Sequence, residues 1–213
     1  MDKSKTTGIH TDYTNRHLRK ADLSAADFVF RVGVVVLDAN GDLLVFEDDE
    51  TGILQLPRSR PLPTFDDLNE PLRFVSEQTG LKIDPLPLPA QSRRYRRPQL
   101  EWNQLEQDLV LDGAATTTDP FSVALDVNWK SVPESKLLDA QQVVVAWYSG
   151  VVRHSIQPDS CSLRGAQFIA INEFSNIMLG QTPYDAVGSN ALNLFRVLWS
   201  ETKRREEKKP HRT

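Results

Sequence analysis

The chain has 213 residues, of which 39% are apolar, enough for one substantial core and too few for two independent ones. Lys and Arg total 25 against 29 Asp and Glu, a formal charge of -4, so no chain-wide field points to nucleic acid and any basic site has to be local. Cys161 is the only cysteine, which excludes an internal disulfide and a zinc site built on several thiolates. The segment from Met1 to Lys20 is polar, without an apolar targeting core, and no stretch approaches the ~18 apolar residues of a membrane span. These features predict a soluble, cytoplasmic protein with no membrane partner.

Residues 1 to 26 show no sustained period and are predicted to form a flexible or peripheral leader. From Phe28 to Leu37 the run is rich in β-branched residues, breaks at Asp38-Ala39-Asn40-Gly41, and resumes as Leu43-Leu44-Val45-Phe46. Asn-Gly between two such runs predicts a hairpin, because both residues tolerate a positive φ. Gly52 to Pro57 then reads as a short strand leading into a loop.

Leu68, Leu72, Val75 and Leu81 recur at helical spacing, and Thr79-Gly80 supplies a stop. Pro71 fits only within a first turn, so the helix is predicted over residues 70 to 79 with Asn69 as its cap. Four prolines between Asp84 and Pro98 suit an edge strand, interrupted by Arg93-Arg94-Tyr95-Arg96-Arg97. Residues 99 to 120 are polar, and 114 to 118 suggest a mobile insertion. Val143 to Tyr148 and Gln167 to Ile171 read as buried strands.

Thr182-Pro183-Tyr184-Asp185 is expected to open the last helix with Thr182 as its cap. That helix shows its core an apolar stripe of Val187, Ala191, Leu194, Phe195 and Leu198. The charged residues 203 to 213 are expected to fray, which leaves one domain over residues 28 to 202. Strands alternating with helices place the chain in the α/β class.

Arg73-Phe74-Val75-Ser76-Glu77-Gln78-Thr79-Gly80-Leu81, preceded by Leu56-Pro57-Arg58-Ser59, resembles a Nudix box, and the element order resembles a Nudix domain of the divergent kind found in filamentous fungi. The resemblance implies an α/β/α sandwich around a mixed sheet. It also implies glutamates at positions 65, 74, 77 and 78 and glycines at 58 and 59, where this chain has Phe65, Phe74, Glu77, Gln78, Arg58 and Ser59. The family holds divalent ions against a substrate diphosphate with several carboxylates. With three of those four glutamates replaced, the expectation is a site without metal or other cofactor.

Positions 74, 77 and 78 share one helix face. Glu77 is therefore read either as a solvated partner of Arg73 or as an acid/base in a cleft made apolar by Phe74, where desolvation would raise its pKa. Arg58 and Arg60 in the preceding loop could fork onto a carboxylate or phenolate. Of Trp147 and Tyr148, alternation sends one to the core and the other to the cleft. Glu173, following a predicted strand, is a candidate carboxylate from a later loop, while His154 and Cys161 read as structural. The arginines at 93 to 97 read as a solvated strand or as a phosphate grip.

Three functions follow from these residues. The first is a metal-independent enzyme of isomerase, lyase or cyclase type on a small organic metabolite, with Glu77 catalytic and Arg58, Arg60, Phe74, Gln78, Trp147, Tyr148 and Glu173 around the substrate. The second is a non-catalytic module that binds nucleotide, RNA or protein, nucleic acid being the less expected partner. The third is a residual hydrolase using Glu70, Glu77 and Glu173 in a rearranged site.

Overall fold

A computed structural model describes residues 28–48, 52–62, 68, 70–95, 107–131, 138–153, 165–181 and 185–208. The elements in chain order are β1 (Phe28–Leu37), β2 (Leu43–Glu47), β3 (Leu54–Gln55), α1 (Arg73–Thr79), β4 (Ile83–Pro85), β5 (Leu88–Tyr95), β6 (Gln107–Thr117), β7 (Ser122–Ser131), β8 (Leu138–Val152), β9 (Ala166–Ile169), α2 (Ile171–Gly180) and α3 (Ala186–Glu207). Among the described residues one sheet has seven strands in the order β3-β2-β1-β8-β4, with β9 beside β2 and β7 beside β8. The β1 and β8 strands run parallel in register from Phe28↔Gln142 to Leu37↔Val151, and every other pair is antiparallel. A separate ribbon pairs β5 with β6.

Side chains alternate across the sheet and divide the core into two layers. Val35 and Leu37 of β1, with Val143, Val145 and Trp147 of β8, pack under Phe174 and Met178 of α2 and Val187, Ala191, Phe195 and Leu198 of α3. Val32, Val34 and Val36, with Tyr148, pack under Leu72, Val75 and Leu81 around α1. The result is the expected mixed α/β sandwich with helices on both faces. No described helix is long and apolar enough to cross a membrane.

Gly33 stands opposite Trp147 in the parallel register, and a Cβ there would lie 2.5 Å from a ring carbon. The glycine is what lets the indole lie flat across β1. Gly33→Ala should therefore cost about 1–3 kcal/mol, as overpacking does. A lowered denaturation midpoint at unchanged m-value would show it, and an unaltered midpoint would mean the ring yields freely.

Several elements differ from the sequence expectation for local reasons. The Asn40-Gly41 hairpin is a longer loop organised by Asp38, whose Oδ1 accepts from the Asn40 and Asp42 amides at 2.8 Å each, while Gly41 takes φ 85°. Residues 114 to 117 belong to a strand, β6, because β5 supplies its hydrogen bonds. The last helix is capped by Asp185, whose Oδ1 accepts from the Gly188 amide at 2.9 Å; Thr182 lies outside the described residues. That helix also continues past residue 202 to Glu207.

The extension of α3 is held by Glu201, which accepts from Arg204 Nε at 2.7 Å and Arg205 Nε at 2.9 Å. The two guanidiniums hold its carboxyl down from 4.5 to about 2. A depressed folded-state value means the contribution is complete above the unfolded value of 4.5 and is lost as pH falls toward 2. Denaturation midpoints measured through that window should fall less steeply for Glu201→Gln than for the parent chain, and parallel profiles would remove the linkage.

Candidate functional site

Helix α1 begins at Arg73, later than the predicted residue 70, because Glu70-Pro71-Leu72 first makes a turn in which the Arg73 amide donates to the Glu70 carbonyl at 3.1 Å. Leu72 precedes the helix without a side-chain cap. Gly80 closes it at φ 72°, and the Thr79 hydroxyl donates back to the Val75 carbonyl at 2.7 Å. Val75 and Thr79 face the sheet. Arg73, Phe74, Glu77 and Gln78 face a cleft of about 440 Å³ whose other wall is the loop before the helix.

That loop is zipped onto the edge of β1. The Val34 amide donates to the Pro57 carbonyl at 3.0 Å, the Ser59 amide to the Val32 carbonyl at 2.8 Å, and the Leu62 amide to the Phe30 carbonyl at 2.8 Å. The Ser59 hydroxyl replaces a missing strand neighbour by accepting from the Val32 amide at 2.9 Å. This extended run needs no positive φ, which is how Arg58 and Ser59 are accommodated where the resemblance implies glycines. Ser59 and Arg60 face the cleft, whereas Arg58 pairs with Gly33 and turns to the opposite face.

In the cleft, Arg73 stands between two carboxylates, 3.0 Å from Glu70 Oε2 and 3.6 Å from Glu77 Oε1. Glu77 is 67% exposed, so the enclosed apolar setting expected for it is missing: Phe74 lies beside it without enclosing it. The charged lining is balanced, Arg60 and Arg73 against Glu70 and Glu77.

On the far side of the Glu70-Arg73 ridge lies a second hollow of about 720 Å³, floored by Leu72, Ile83 and Tyr148 and edged by Asp119 and Ser149. Burial, and then Asp119, push the Tyr148 phenol up, so it stays a hydrogen-bond donor to high pH. Tyr148 thus joins the box side of the sheet while Trp147, 0% exposed, packs under α3.

No family model matches the chain, and no curated protein matches it. Among solved structures, a NUDIX hydrolase from Nitrosomonas europaea is 14% identical with a TM-score of 0.44, over 79% of this chain and 88% of that one. A MutT protein from Methanosarcina mazei Go1 is 15% identical with a TM-score of 0.41, over 85% and 96% of the two chains. The Ap4A hydrolase of C. elegans is 9% identical with a TM-score of 0.42, over 81% and 98%. What the cleft can do follows from its own residues.

The structure brings Arg60, Phe74, Glu77 and Gln78 together and sets the other candidates apart. Glu173 is an exposed residue in the first turn of α2, on the far side of the sheet, because the segment after β9 is a helix and not the expected loop. Arg58 binds Asp185 under α3. His154, Cys161, Phe65, Asp66 and Asp67 lie outside the described residues, as do Arg96 and Arg97. Sequence reasoning missed Arg31 and Asp185. The signal for Arg31 was a charge at a core-facing position of a β-branched run.

A divalent ion of the kind the Nudix resemblance implies needs several oxygen ligands with surplus negative charge. Among the described residues no three His, Cys, Asp or Glu side chains stand together, and both acids of the cleft are already paired with Arg73. The residues described do not fit such an ion.

Proposed function

We propose that this chain is a Nudix-fold protein that has given up metal-dependent diphosphate hydrolysis and acts on a small organic metabolite in the box cleft, by metal-independent proton transfer of the isomerase, lyase or cyclase type. The observation that carries the reading is the position of Arg73: a single guanidinium answers both Glu70 and Glu77, where a hydrolase would need those charges for metal. Phe74 offers an apolar wall, Gln78 a neutral donor and acceptor, and Arg60 a fork for an anionic substituent. Glu77, exposed beside Arg73, is the side chain of the cleft that would exchange a proton with the ligand.

Calorimetric titration with magnesium and manganese, followed by phosphate release from a panel of nucleoside diphosphate derivatives, tests this reading. The expected result is no saturable metal binding at millimolar concentration and no metal-stimulated release. Either signal, if present and lost in Glu77→Gln, would restore the hydrolase.

A second reading, a binding module without catalysis, is favoured by the openness of the cleft and the exposure of Glu77. A partner laid along an open groove needs no enclosed reaction chamber. The two readings part on whether any ligand of the cleft is turned over.

A further inference from the structure

On the face of the sheet opposite Glu77 stand two arginines, Arg58 by the start of α3 and Arg31 on β1. Arg58 reaches across the sheet edge to Asp185, its Cζ 5.2 Å from the centre of the Trp147 ring. Its side chain is 18% exposed and that of Asp185 21%. Arg31, one alternation before Gly33 on β1, faces the same layer and is partly buried. Asp185 is the carboxylate paired with Arg58, and it also caps Gly188. A Cβ on Gly188 would meet both Asp185 and Arg58, so the glycine is what lets this ion pair pack against the first turn of α3.

Three polar groups of this face have no partner among the described residues. The Nε atoms of Arg31 and Arg58 and the indole Nε1 of Trp147 are buried without a hydrogen-bond partner. A buried unpaired donor is destabilising, more so when it carries charge, unless something accepts from it. Burial, and then the charge of Arg58, push the Arg31 guanidinium below its ordinary value, the mark of a cation short of counter-charge. Asp185 answers Arg58, and among the described residues no carboxylate pairs with Arg31, which leaves that cation without a counter-charge.

We propose that Arg31 and Arg58 form an oxyanion-binding site on the α3 face, which takes the carboxylate or phosphate group of a small ligand between their inward Nε–H groups. The anion supplies the missing charge and accepts from the orphaned donors, in the planar fork geometry that guanidinium offers to such groups. Asp185 competes with it for Arg58. This site is separate from the box cleft and stands or falls independently of the reaction proposed there.

The probes are sodium acetate and sodium phosphate, titrated into the full chain by calorimetry and by thermal denaturation, with sodium chloride at matched ionic strength as control. Saturable stabilisation by either anion beyond chloride is expected; acetate binding assigns a carboxylate ligand, phosphate binding a phosphorylated one. Arg31→Met should weaken that binding at least tenfold. It should also raise the ligand-free melting temperature, because an uncompensated cation has been removed. Asp185→Asn keeps a helix-capping side chain and should tighten anion binding several-fold by freeing Arg58. No saturable effect of either anion, or an Arg31→Met chain that binds unchanged or melts lower without ligand, would overturn the proposal.

Discussion

Phe195→Ala is expected to cost about 3–5 kcal/mol of folding stability. Phe195 is fully buried in the layer between the sheet and α3, its ring 6.0 Å from that of Phe121 and 6.4 Å from that of Trp199. The lost transfer energy is compounded by a cavity that cannot collapse, because Phe121 leads into β7 and Trp199 belongs to the same helix as Phe195. A domain of this size has only about 5–15 kcal/mol to lose, so the variant should give up a large share of its stability. Urea midpoints measure it. Phe195→Leu, which keeps most of the volume, should recover more than half, and equal losses for both variants would show that ring contacts and not cavity volume set the cost.

The same helix shows what made parts of the fold legible. Val187, Ala191, Phe195 and Leu198 follow the period of 3.6 and all face the sheet, so amphipathicity alone located the α3 core. The long run from Val32 to Leu37 was readable as buried strand because β1 is covered on both faces, which favours unbroken β-branched sequence. By contrast the far end of β6 carries short, polar or small residues, while β7 alternates Val123, Leu125, Val127 and Trp129 with polar or small residues, a strand signal the sequence reading does not use. Their pairing is fixed by long-range partners, β5 for β6 and β8 for β7, which no local window contains. Ile171, the first residue of α2, reads as the end of a strand because Phe168-Ile169-Ala170-Ile171 runs apolar through the junction where β9 stops and the helix begins.

The site was legible to a similar depth and for similar reasons. Helical spacing was enough to put Phe74, Glu77 and Gln78 on one face. The side to which Arg58 turns was not, since it depends on an antiparallel bridge to Gly33 that sends Arg58 and Ser59 to opposite faces of the sheet. Nor was the exposure of Glu77, which depends on how far the opposing loop stands from α1. These are distances set by tertiary packing. A motif records which residues are neighbours on a helix but not how closely the opposite wall approaches.

Glu77→Gln is expected to lower turnover by about 10²–10⁴-fold while leaving ligand binding intact. The substrate for this measurement is whichever small organic acid, in a screen of such compounds, gives saturable stabilisation lost in Phe74→Ala. Gln is close to isosteric and keeps the cleft's shape, so a large loss in kcat would be chemical. Binding should survive because Arg73 retains Glu70 at 3.0 Å and because an exposed ion pair such as Arg73–Glu77 contributes only a few tenths of a kcal/mol. Removing one carboxylate from a balanced lining also leaves it net positive, so an anionic ligand should bind somewhat more tightly in the variant. A fall in kcat with equal or lower KM is therefore the signature of proton transfer at Glu77. A KM that rises with kcat unchanged would make Glu77 a binding residue only, and the complete absence of turnover in the parent chain would leave the cleft a recognition surface.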